Sequence, residues 1–405
     1  MKILQVNCVY NKGSTGKIMY EVHTFLASHG CASVVCYGRG KRVIESGVYK
    51  TCSELYAKFN NLFSKFTGLM YGGNFFSTAR LVARIKKENP DLVHLHCING
   101  YFVNIYKLVS WLKESGIPTV LTLHAEFMHT ANCAHALECD KWKTGCGNCP
   151  RLRKETGSLF FDRTHTSWER MKKAFENFQN LTVVSVSPWL MERAKQSPIL
   201  SDKEHKVVLN GLDTEIFTLR ETDVLKKELG IADEKIVFHA TPYFTDDETH
   251  LKGGHYVLKL AELMPDVKFV VAGKYDPEIK VPQNVLLLGN VSDMNKLSAL
   301  YSLADATVIA SRKETFSMIV AESLCCGTKV FGFKAGAPEQ ITIPEYSEFL
   351  DYGDVDGLYE ALKKSLASSY DKREVSEKAK EKYSNKRMCS QYFEIYKNGT
   401  KKTER

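Results

Sequence analysis

The sequence predicts two doubly wound α/β domains, and three observations support this prediction. Apolar runs of strand length alternate with helical patterns along the whole chain. Most of these runs are continuously apolar, which is typical of parallel strands covered by helices on both faces. The chain has 405 residues, which is more than a single hydrophobic core usually serves.

The first predicted domain spans residues 1–212, and its expected strands are KILQV, SVVCYG, DLVHLH, PTVLTL, LTVVSV and HKVVLN. A second series, KIVFHA, VKFVVAG, NVLLLG, DATVIA and TKVFGF, defines a domain over residues 213–380. Residues 381–405 contain helical patterns without a strand, so they can pack across either domain.

A glycine-rich turn, Gly13 to Gly16, joins the first expected strand to a helix that begins at Lys17. It looks like the phosphate loop of an ATPase, but Asn11 replaces the first glycine of that pattern. Ile18 follows Lys17 where the pattern requires Ser or Thr, so the pattern fails at both ends. The backbone N–H groups of such a turn can still approach an anion at a helix start.

The segment ELYAKFNNLFSKFTGLMYGG, residues 54–73, places aromatic residues and leucines at helical spacing with lysines between them. This pattern is typical of a helix that lies on a membrane surface. It also fits a core-facing helix whose lysines reach to solvent. We favour the core-facing helix, because a doubly wound domain needs helices at this place.

The composition is that of a globular enzyme, with 44% hydrophobic and 25% charged residues and no low-complexity tract. A net charge of +8 suits nucleic acid, an anionic membrane or phosphorylated substrates. The chain has no basic run long enough to form a nucleic-acid arm, so we expect no nucleic-acid partner. The start of the chain turns polar within about ten residues, and we expect a cytoplasmic protein.

A polar turn and a short apolar helix follow the strand DATVIA in the segment SRKETFSMIVAESLCC. Open α/β sheets bind ligands where strands end and helices begin. The N–H groups of Phe316, Ser317 and Met318 at this helix start favour a phosphate. Glu314 in the turn and Glu322 in the helix flank the same place. From the residues alone, Glu322 is either a ligand contact or a cap or ion-pair partner.

Glu314, seven intervening residues and Glu322 resemble the E-x7-E signature of retaining family 4 glycosyltransferases, whose members have the GT-B fold. The resemblance continues along nearly the whole chain through VHLH, TLH, SVSPWL, VVLNGLDTEIF and LKGG. It implies two Rossmann-like domains that face each other across a cleft. Residues 1–212 would form the acceptor side, residues 213–380 would bind a nucleotide-sugar donor, and a helix within residues 381–405 would cross back to the first domain.

The resemblance also implies roles for individual residues of the second domain. Lys252 would bind the donor phosphates. The family usually has an arginine about five residues before this lysine, where this chain has Asp247. Arg312 is a candidate to replace that arginine. Glu314 would contact the donor sugar, and Glu322 would hydrogen-bond the ribose hydroxyls.

Further implied contacts involve both domains. His124, at the end of PTVLTLH, would lie over the sugar and phosphate. Main-chain groups around Gly289 and Val291 would hold the base. The turn with Gly13 and Gly16 would lie against the donor diphosphate or the acceptor.

Four cysteines lie close together in the loop 125–150, which follows TLH: Cys133, Cys139, Cys146 and Cys149. Their spacing ends in C-x2-C and could enclose a structural zinc ion. Disulfides are less expected in a reducing cytoplasm, and four unbridged thiols are the remaining alternative. The segment also resembles a Cys-rich loop in family 4 enzymes that build bacterial surface polysaccharides. Its place after TLH suggests that it walls the acceptor side of the cleft.

Together these features predict a retaining hexosyltransferase-type glycosyltransferase in bacterial surface polysaccharide synthesis. The expected donor is a UDP- or GDP-sugar, and the expected acceptor is a glycan, lipid-linked at the inner membrane face. This last expectation includes a peripheral membrane contact. No Asp-x-Asp motif in the context of a catalytic metal site is evident, so we expect catalysis without a metal.

Three alternatives remain open from the sequence. A sugar-nucleotide epimerase of the same fold would need acid and base residues on both faces of the sugar. A dinucleotide oxidoreductase is opposed by the absence of G-x-G-x-x-G after the first strand. A non-catalytic binding module would use the cysteine loop to recruit a partner.

Overall fold

The chain folds into two α/β units, each built around a parallel sheet, which confirms the predicted fold class. The computed structural model describes residues 1–401. The N-terminal unit consists of Met1–Leu209 together with the chain from Met388 onward, and the C-terminal unit is Asn210–Arg387.

Seven parallel strands form the sheet of the N-terminal unit. They are β1 (Lys2–Asn7), β2 (Ala32–Tyr37), β3 (Val48–Lys50), β4 (Leu92–Leu95), β5 (Thr119–Leu123), β6 (Leu181–Ser185) and β7 (Glu204–Val207). Their order across the sheet is β3-β2-β1-β4-β5-β6-β7. The chain therefore reverses its direction of winding between β1 and β4, and such a switch point is where doubly wound sheets bind ligands.

Eight helices lie within the Met1–Leu209 part of this unit. They are α1 (Gly13–Ser28), α2 (Glu54–Thr67), α3 (Phe75–Glu88), α4 (Ile105–Ser115), α5 (Phe127–Thr130), α6 (Leu152–Thr156), α7 (Thr164–Phe175) and α8 (Pro188–Lys195). Helix α1 begins at Gly13 and not at Lys17, so the glycine-rich segment forms its first turn. The N-cap Lys12 is extended, and Gly13 has φ +63°, a left-handed value that glycine adopts without strain.

Six parallel strands form the sheet of the C-terminal unit. They are β8 (Lys235–Phe244), β9 (Val267–Tyr275), β10 (Val285–Leu287), β11 (Ala306–Ile309), β12 (Lys329–Phe333) and β13 (Ser347–Leu350). Their order is β10-β9-β8-β11-β12-β13, so the switch point of this sheet lies between β8 and β11. Val237, Phe269 and Val308 are fully or almost fully buried, as expected for strands covered on both faces.

The remaining helices are α9 (Asp223–Glu228), α10 (Gly254–Leu263), α11 (Met294–Leu303), α12 (Met318–Cys325), α13 (Pro338–Ile341), α14 (Val355–Leu366), α15 (Lys372–Tyr383) and α16 (Asn385–Lys401). Helix α16 supplies Met388, Tyr392 and Tyr396 to a core that also contains Ile3 and Val120 of the N-terminal unit. None of the helices within residues 1–401 is long and apolar enough to cross a membrane.

The expectation that residues 54–73 form a core-facing helix is wrong about the face that packs. Helix α2 buries Ala57, Asn60 and Ser64. Its large apolar side chains, among them Phe59 and Phe63, point to solvent. The side chains of Asn60 and Ser64 have polar partners on the buried side: Asn60 Oδ1 accepts from the Asn74 N–H at 2.7 Å, and Ser64 Oγ donates to the Leu69 carbonyl at 2.9 Å.

Candidate active site

Lys252 and Glu314 meet at the switch point of the C-terminal sheet. Lys252 lies in the loop after β8, and Glu314 lies in the loop after β11. The Lys252 Nζ atom is 2.6 Å from the Glu314 Oε1 atom, and both side chains are mostly buried. The carboxyl ends of β8 and β11 therefore hold one cation and one anion in direct contact.

The backbones of these two loops also contact each other. The Arg312 N–H donates to the Leu251 carbonyl at 2.9 Å, which places half-buried Arg312 beside the loop that carries Lys252. Gly253 has φ +65°, and a Cβ atom there would lie 2.1 Å from the Ala310 carbonyl oxygen. Only glycine fits this close approach, so Gly253 allows the loop that carries Lys252 to pack against the end of β11.

Glu314 is held from its other side by the loop after β12. Its N–H donates to the Ala335 carbonyl at 2.9 Å, and its carbonyl accepts from the Ala337 N–H at 3.2 Å. The Glu339 carboxylate accepts from the N–H groups of Ala335 and Gly336 at about 3 Å and so fixes this loop. These bonds fix the backbone of Glu314 while its carboxylate points to Lys252.

Helix α12 begins directly after this turn, as the sequence predicts. Its N-cap Ser317 has φ +77°, a left-handed value that is uncommon for a residue with a side chain. Ser317 Oγ is buried and has no hydrogen-bond partner, and Phe316 is buried beside it. The first N–H groups of a helix, here from Met318 on, have no partners within the helix and favour an anion. Such strain is stored at ligand sites.

Glu322 lies in the second turn of α12. The hydroxyl of Tyr301, a fully buried residue of α11, donates to Glu322 Oε2 at 2.9 Å. Burial raises the pKa of Tyr301 well above its ordinary value, and the adjacent Glu322 charge adds to this. Tyr301 therefore stays protonated and holds the carboxylate in one orientation.

Gly289 and Val291 follow β10, two strands away from the switch point. The Gly289 carbonyl accepts from the Gly273 N–H at 2.8 Å, and Gly289 has φ +69°. Val291 is half-buried. Both residues follow the carboxyl end of their strand, as Lys252 and Glu314 do, but the structure shows no direct contact between the two pairs.

Asp247, at the place of the family arginine, shapes the loop before Lys252. Its Oδ1 atom accepts from the Thr249 N–H at 2.8 Å. The aspartate thus closes a turn at the place where the resemblance implies an arginine.

In the N-terminal unit, the turn after β1 lies at the switch point of its own sheet. The Gly16 carbonyl accepts from the Asn11 N–H at 3.1 Å. A Cβ atom on Gly16 would lie 3.3 Å from the Val9 carbonyl oxygen, whereas one on Gly13 would meet nothing within 4 Å. Gly16 therefore permits close packing of the turn, and Gly13 faces open space.

Three histidines lie at the carboxyl ends of β4 and β5: His94 is within β4, His96 follows it, and His124 follows β5. His96 Nδ1 lies 3.4 Å from His124 Nε2, and His96 Nε2 lies 3.2 Å from Gln5 Oε1. His94 contacts the hydroxyls of Thr122 and Tyr396 at 2.8 and 2.6 Å. Burial lowers the pKa of His124 to about 4 and that of His96 well below its ordinary value. Both rings are therefore neutral at neutral pH.

Glu126, two residues after His124, is fully buried, and no sequence motif singles it out. Its carboxylate accepts from the Ala136 N–H at 2.7 Å and pairs with Arg193 and with His129, the latter at 3.6 Å. Burial raises the pKa of Glu126, but the contact with His129, the charge of Arg193 and the Ala136 N–H lower it by more. A charged carboxylate thus anchors the start of the cysteine loop.

The structure does not support the expected zinc site. All four cysteines of the loop are free, and no cluster of three or more His, Cys, Asp or Glu side chains suited to a metal occurs within residues 1–401. Cys133 instead packs against Trp142, whose indole Nε1 donates to the Cys139 carbonyl at 2.8 Å. The spacing of the four cysteines in the sequence therefore does not produce a set of metal ligands within residues 1–401.

Models of known protein families match both units of the chain. The Glycosyltransferase Family 4 profile matches residues 15–216, and the Glycosyl transferases group 1 profile matches residues 226–382. The chain is a glycosyltransferase of this group with the GT-B fold. The two matched segments of this glycosyltransferase follow its two structural units, and the second contains Lys252, Glu314 and Glu322.

One relative and two solved structures show how far the similarity extends. The putative colanic acid biosynthesis glycosyl transferase WcaC of Escherichia coli K12 is 25% identical over 98% of this chain and 100% of its own length. Sucrose-phosphate synthase of Thermosynechococcus elongatus superposes with a TM-score of 0.66, covering 98% of each chain at 16% identity. Anabaena HepE in complex with UDP gives a TM-score of 0.63 at 15% identity, covering 98% of this chain and 100% of its own.

Proposed function

We propose that this glycosyltransferase moves a hexose from a nucleotide-sugar donor to a glycan acceptor, with retention of configuration, in bacterial surface polysaccharide synthesis. One observation carries the proposal, namely the contact between Lys252 and Glu314 at the switch point of the C-terminal sheet. A lysine there offers a cation to a leaving diphosphate, and the carboxylate beside it offers an acceptor to sugar hydroxyls.

The leaving diphosphate receives its stabilisation from two sources in this proposal. Lys252 Nζ provides a point charge, with Arg312 on the adjoining loop as a second cation. The N–H groups of Phe316, Ser317 and Met318 at the start of α12 provide fixed dipoles. The buried Ser317 hydroxyl, which has no protein partner, supports an anion at this place.

The nucleoside is held farther along the same edge of the sheet. Glu322, oriented by Tyr301, accepts hydrogen bonds from the ribose hydroxyls. Main-chain groups of Gly289 and Val291 contact the base. These roles follow the E-x7-E resemblance, and the fixed orientation of Glu322 supports the first of them.

The N-terminal unit contributes the acceptor side. Neutral His124 donates or accepts one hydrogen bond to the transferred sugar or its phosphate, because burial keeps the ring uncharged. The turn with Gly13 and Gly16 lets backbone approach the donor or acceptor closely.

The transfer step exchanges one bond for another at the anomeric carbon. The bond from this carbon to the diphosphate oxygen breaks, and an acceptor hydroxyl forms the new bond from the side that the diphosphate leaves. The hydroxyl proton passes to an oxygen of the leaving phosphate. Glu314 orients the sugar hydroxyls, and Lys252 binds the charge that develops on the diphosphate.

The comparisons support the cellular role in this proposal. WcaC carries colanic acid biosynthesis in its name, and HepE was solved with UDP. We therefore place UDP-sugars first among the donors, and a lipid-linked glycan at the cytoplasmic membrane face as the acceptor. Residues 1–212 would serve the acceptor, residues 213–380 the donor, and the closing helix within residues 381–405 the acceptor side.

A thermal-shift titration with UDP, GDP, ADP, NAD and ATP tests the donor site. A nucleotide that binds only the folded chain raises its melting temperature. We expect one nucleoside diphosphate to do so for the wild type but not for Lys252→Ala or Glu322→Ala. Lys334→Ala, which removes an exposed lysine paired with Asp351, serves as the matched control and keeps the shift. A shift by NAD or ATP alone would contradict the proposal.

Product analysis by NMR of the anomeric proton then tests the reaction. We expect a glycoside with the anomeric configuration of the donor and no epimerised donor in the absence of acceptor. Epimerisation without acceptor would support the epimerase instead.

A further inference from the structure

Helix α2 exposes a continuous apolar stripe. The exposed fractions of Leu55, Phe59, Leu62, Phe63 and Phe66 lie between 44% and 81%. With 3.6 residues per turn, these five side chains fall within an arc of roughly 100° around the helix axis. Soluble proteins rarely leave such a stripe uncovered without a partner for it.

A second apolar segment extends this stripe. Leu159, Phe160 and Phe161 precede α7, with exposed fractions between 44% and 66%. The Leu159 N–H donates to the Lys65 carbonyl at 2.9 Å, and the Phe160 ring stacks on Phe66 with centroids 5.8 Å apart. We call the eight residues the apolar face: Leu55, Phe59, Leu62, Phe63, Phe66, Leu159, Phe160 and Phe161.

Basic side chains border the apolar face. Lys58 and Lys65 are exposed on one flank of α2. The Arg163 guanidinium lies 5.7 Å from the centroid of the Phe161 ring. The exposed acid of this border, Asp162, accepts hydrogen bonds from the Thr164 N–H and hydroxyl, which favour its charged form. The three cations outnumber this carboxylate, so the border carries a net positive charge.

The buried side of α2 is built from small and polar residues. A Cβ atom on Gly73 would lie 2.2 Å from Asn60 Oδ1, so the helix sits tightly on the loop that follows it. The exposed apolar side chains are thus not a misplaced core face, since rotating the helix would bury its lysines and break the bonds of Asn60 and Ser64.

We propose that the apolar face is a docking surface for the anionic surface of a phospholipid bilayer. Aromatic and leucine side chains enter the boundary between head groups and acyl chains, while Lys58, Lys65 and Arg163 contact anionic head groups. Charge decides between occupants: a second copy of this chain bound face to face would bring the same cations together, whereas anionic lipid neutralises them.

The segment that carries α2, and with it most of the apolar face, contacts loops at the carboxyl edge of the N-terminal sheet at both of its ends. At its start, the Glu54 carboxylate accepts from the Gly40 N–H and from Arg39, whose N–H contacts the Cys8 carbonyl after β1. At its end, Tyr71 stacks on Tyr101 with centroids 4.5 Å apart and contacts Phe127, three residues after His124. In combination with the proposed function, docking would place this edge next to lipid-linked acceptors.

Flotation with vesicles tests the surface. The full chain is mixed with vesicles of phosphatidylcholine alone or of phosphatidylcholine with phosphatidylglycerol. We expect binding to the anionic vesicles, and a loss of roughly 30-fold for Lys58→Ala with Lys65→Ala. Phe59→Ser with Phe63→Ser also abolishes binding. Ile44→Ser with Val224→Ser, which alters exposed apolar residues elsewhere, serves as the matched control and keeps it.

Two further measurements keep the test decisive. The nucleotide-induced thermal shift of each variant shows that the variant folds. The same measurement distinguishes a failure of the donor site from a failure of docking. Light scattering gives the oligomeric state. Absence of binding to anionic vesicles, or a dimer that Phe59→Ser with Phe63→Ser dissociates, would overturn the proposal.

Discussion

The ammonium group of Lys252 lies 2.6 Å from the carboxylate of Glu314, between loops that leave two adjacent strands. The charge of the lysine is therefore already balanced before any donor arrives. If Lys252 binds the donor diphosphate as we propose, the diphosphate has to compete with Glu314 for this cation, and the carboxylate is then released toward the sugar. On this proposal the pair couples diphosphate binding to the positioning of a sugar contact.

This coupling gives an expected difference between binding and turnover in Glu314→Gln. Removing the negative charge frees Lys252, so UDP should bind severalfold more tightly. Transfer should slow by about 100-fold or more, because the sugar loses a charged hydrogen-bond acceptor. Calorimetry of UDP binding and steady-state kinetics check the two effects. Weaker UDP binding would show that Glu314 does not compete for Lys252.

Tyr301→Phe isolates the orientation of Glu322. The variant removes the hydroxyl that donates to Glu322 Oε2, at a cost of about 1 kcal/mol in stability. We expect a severalfold rise in KM for the donor and little change in kcat, because the contact that we propose for Glu322 is with ribose and not with the reacting bond. Kinetics with saturating acceptor measure both constants. A fall in kcat with unchanged KM would assign Tyr301 another role.

Acid should destabilise the chain partly through His239. This residue of β8 is buried, its Nδ1–H donates to the Val308 carbonyl at 2.9 Å, and burial lowers its pKa to about 4. Between about pH 6.5 and 4 the unfolded chain binds a proton that the folded chain does not, so stability falls as the pH falls. His239→Gln keeps a donor for the Val308 carbonyl. In this variant the number of protons taken up on unfolding between these pH values should be smaller by about one.

Urea unfolding at several pH values measures this effect. At pH 8 the imidazole is neutral in both states, so the variant and wild type should differ there by a constant amount. The two curves should converge or cross toward pH 4. Parallel curves down to pH 4 would show that His239 is protonated in the folded chain as readily as in the unfolded one.

Glu126→Ala should be one of the more damaging single changes in the N-terminal unit. It leaves the Arg193 charge and the Ala136 N–H without their acceptor in the interior, at a cost of about 3–5 kcal/mol. Glu192→Ala, on the same helix as Arg193 but mostly exposed, should change stability by no more than about 0.5 kcal/mol. Denaturant unfolding compares them, and equal effects would argue against a buried ion pair.

The fold and part of the site follow from local sequence patterns. Continuous apolar runs predicted parallel strands, and a polar turn before MIVAESLCC predicted the start of α12 at Met318. Two short edge strands, β3 and β13, were not predicted. A strand of only three or four residues with mixed burial carries little hydrophobic pattern in the sequence. Two doubly wound sheets are thus encoded mainly by their central strands.

Other features depend on contacts that spacing does not reveal. Glu126 and Arg193 are 67 positions apart, and only the folded chain brings them together. Hydrophobic periodicity showed that α2 has one apolar side, but packing decided that Ala57, Asn60 and Ser64 face inward. The directions of the cysteine side chains likewise depend on how the loop folds around Trp142.

The position of helix α16 in the sequence determines when the N-terminal unit can complete its core during translation. Its residues Tyr392 and Tyr396 complete a core with Ile3, at the opposite end of the chain. During translation the N-terminal unit must therefore wait, with this part of its core open, until α16 has been synthesised. The C-terminal unit, continuous from Asn210 to Arg387, needs no such delay. A nascent chain thus completes its C-terminal unit before its N-terminal unit, and removal of α16 would uncover Ile3 of the first strand.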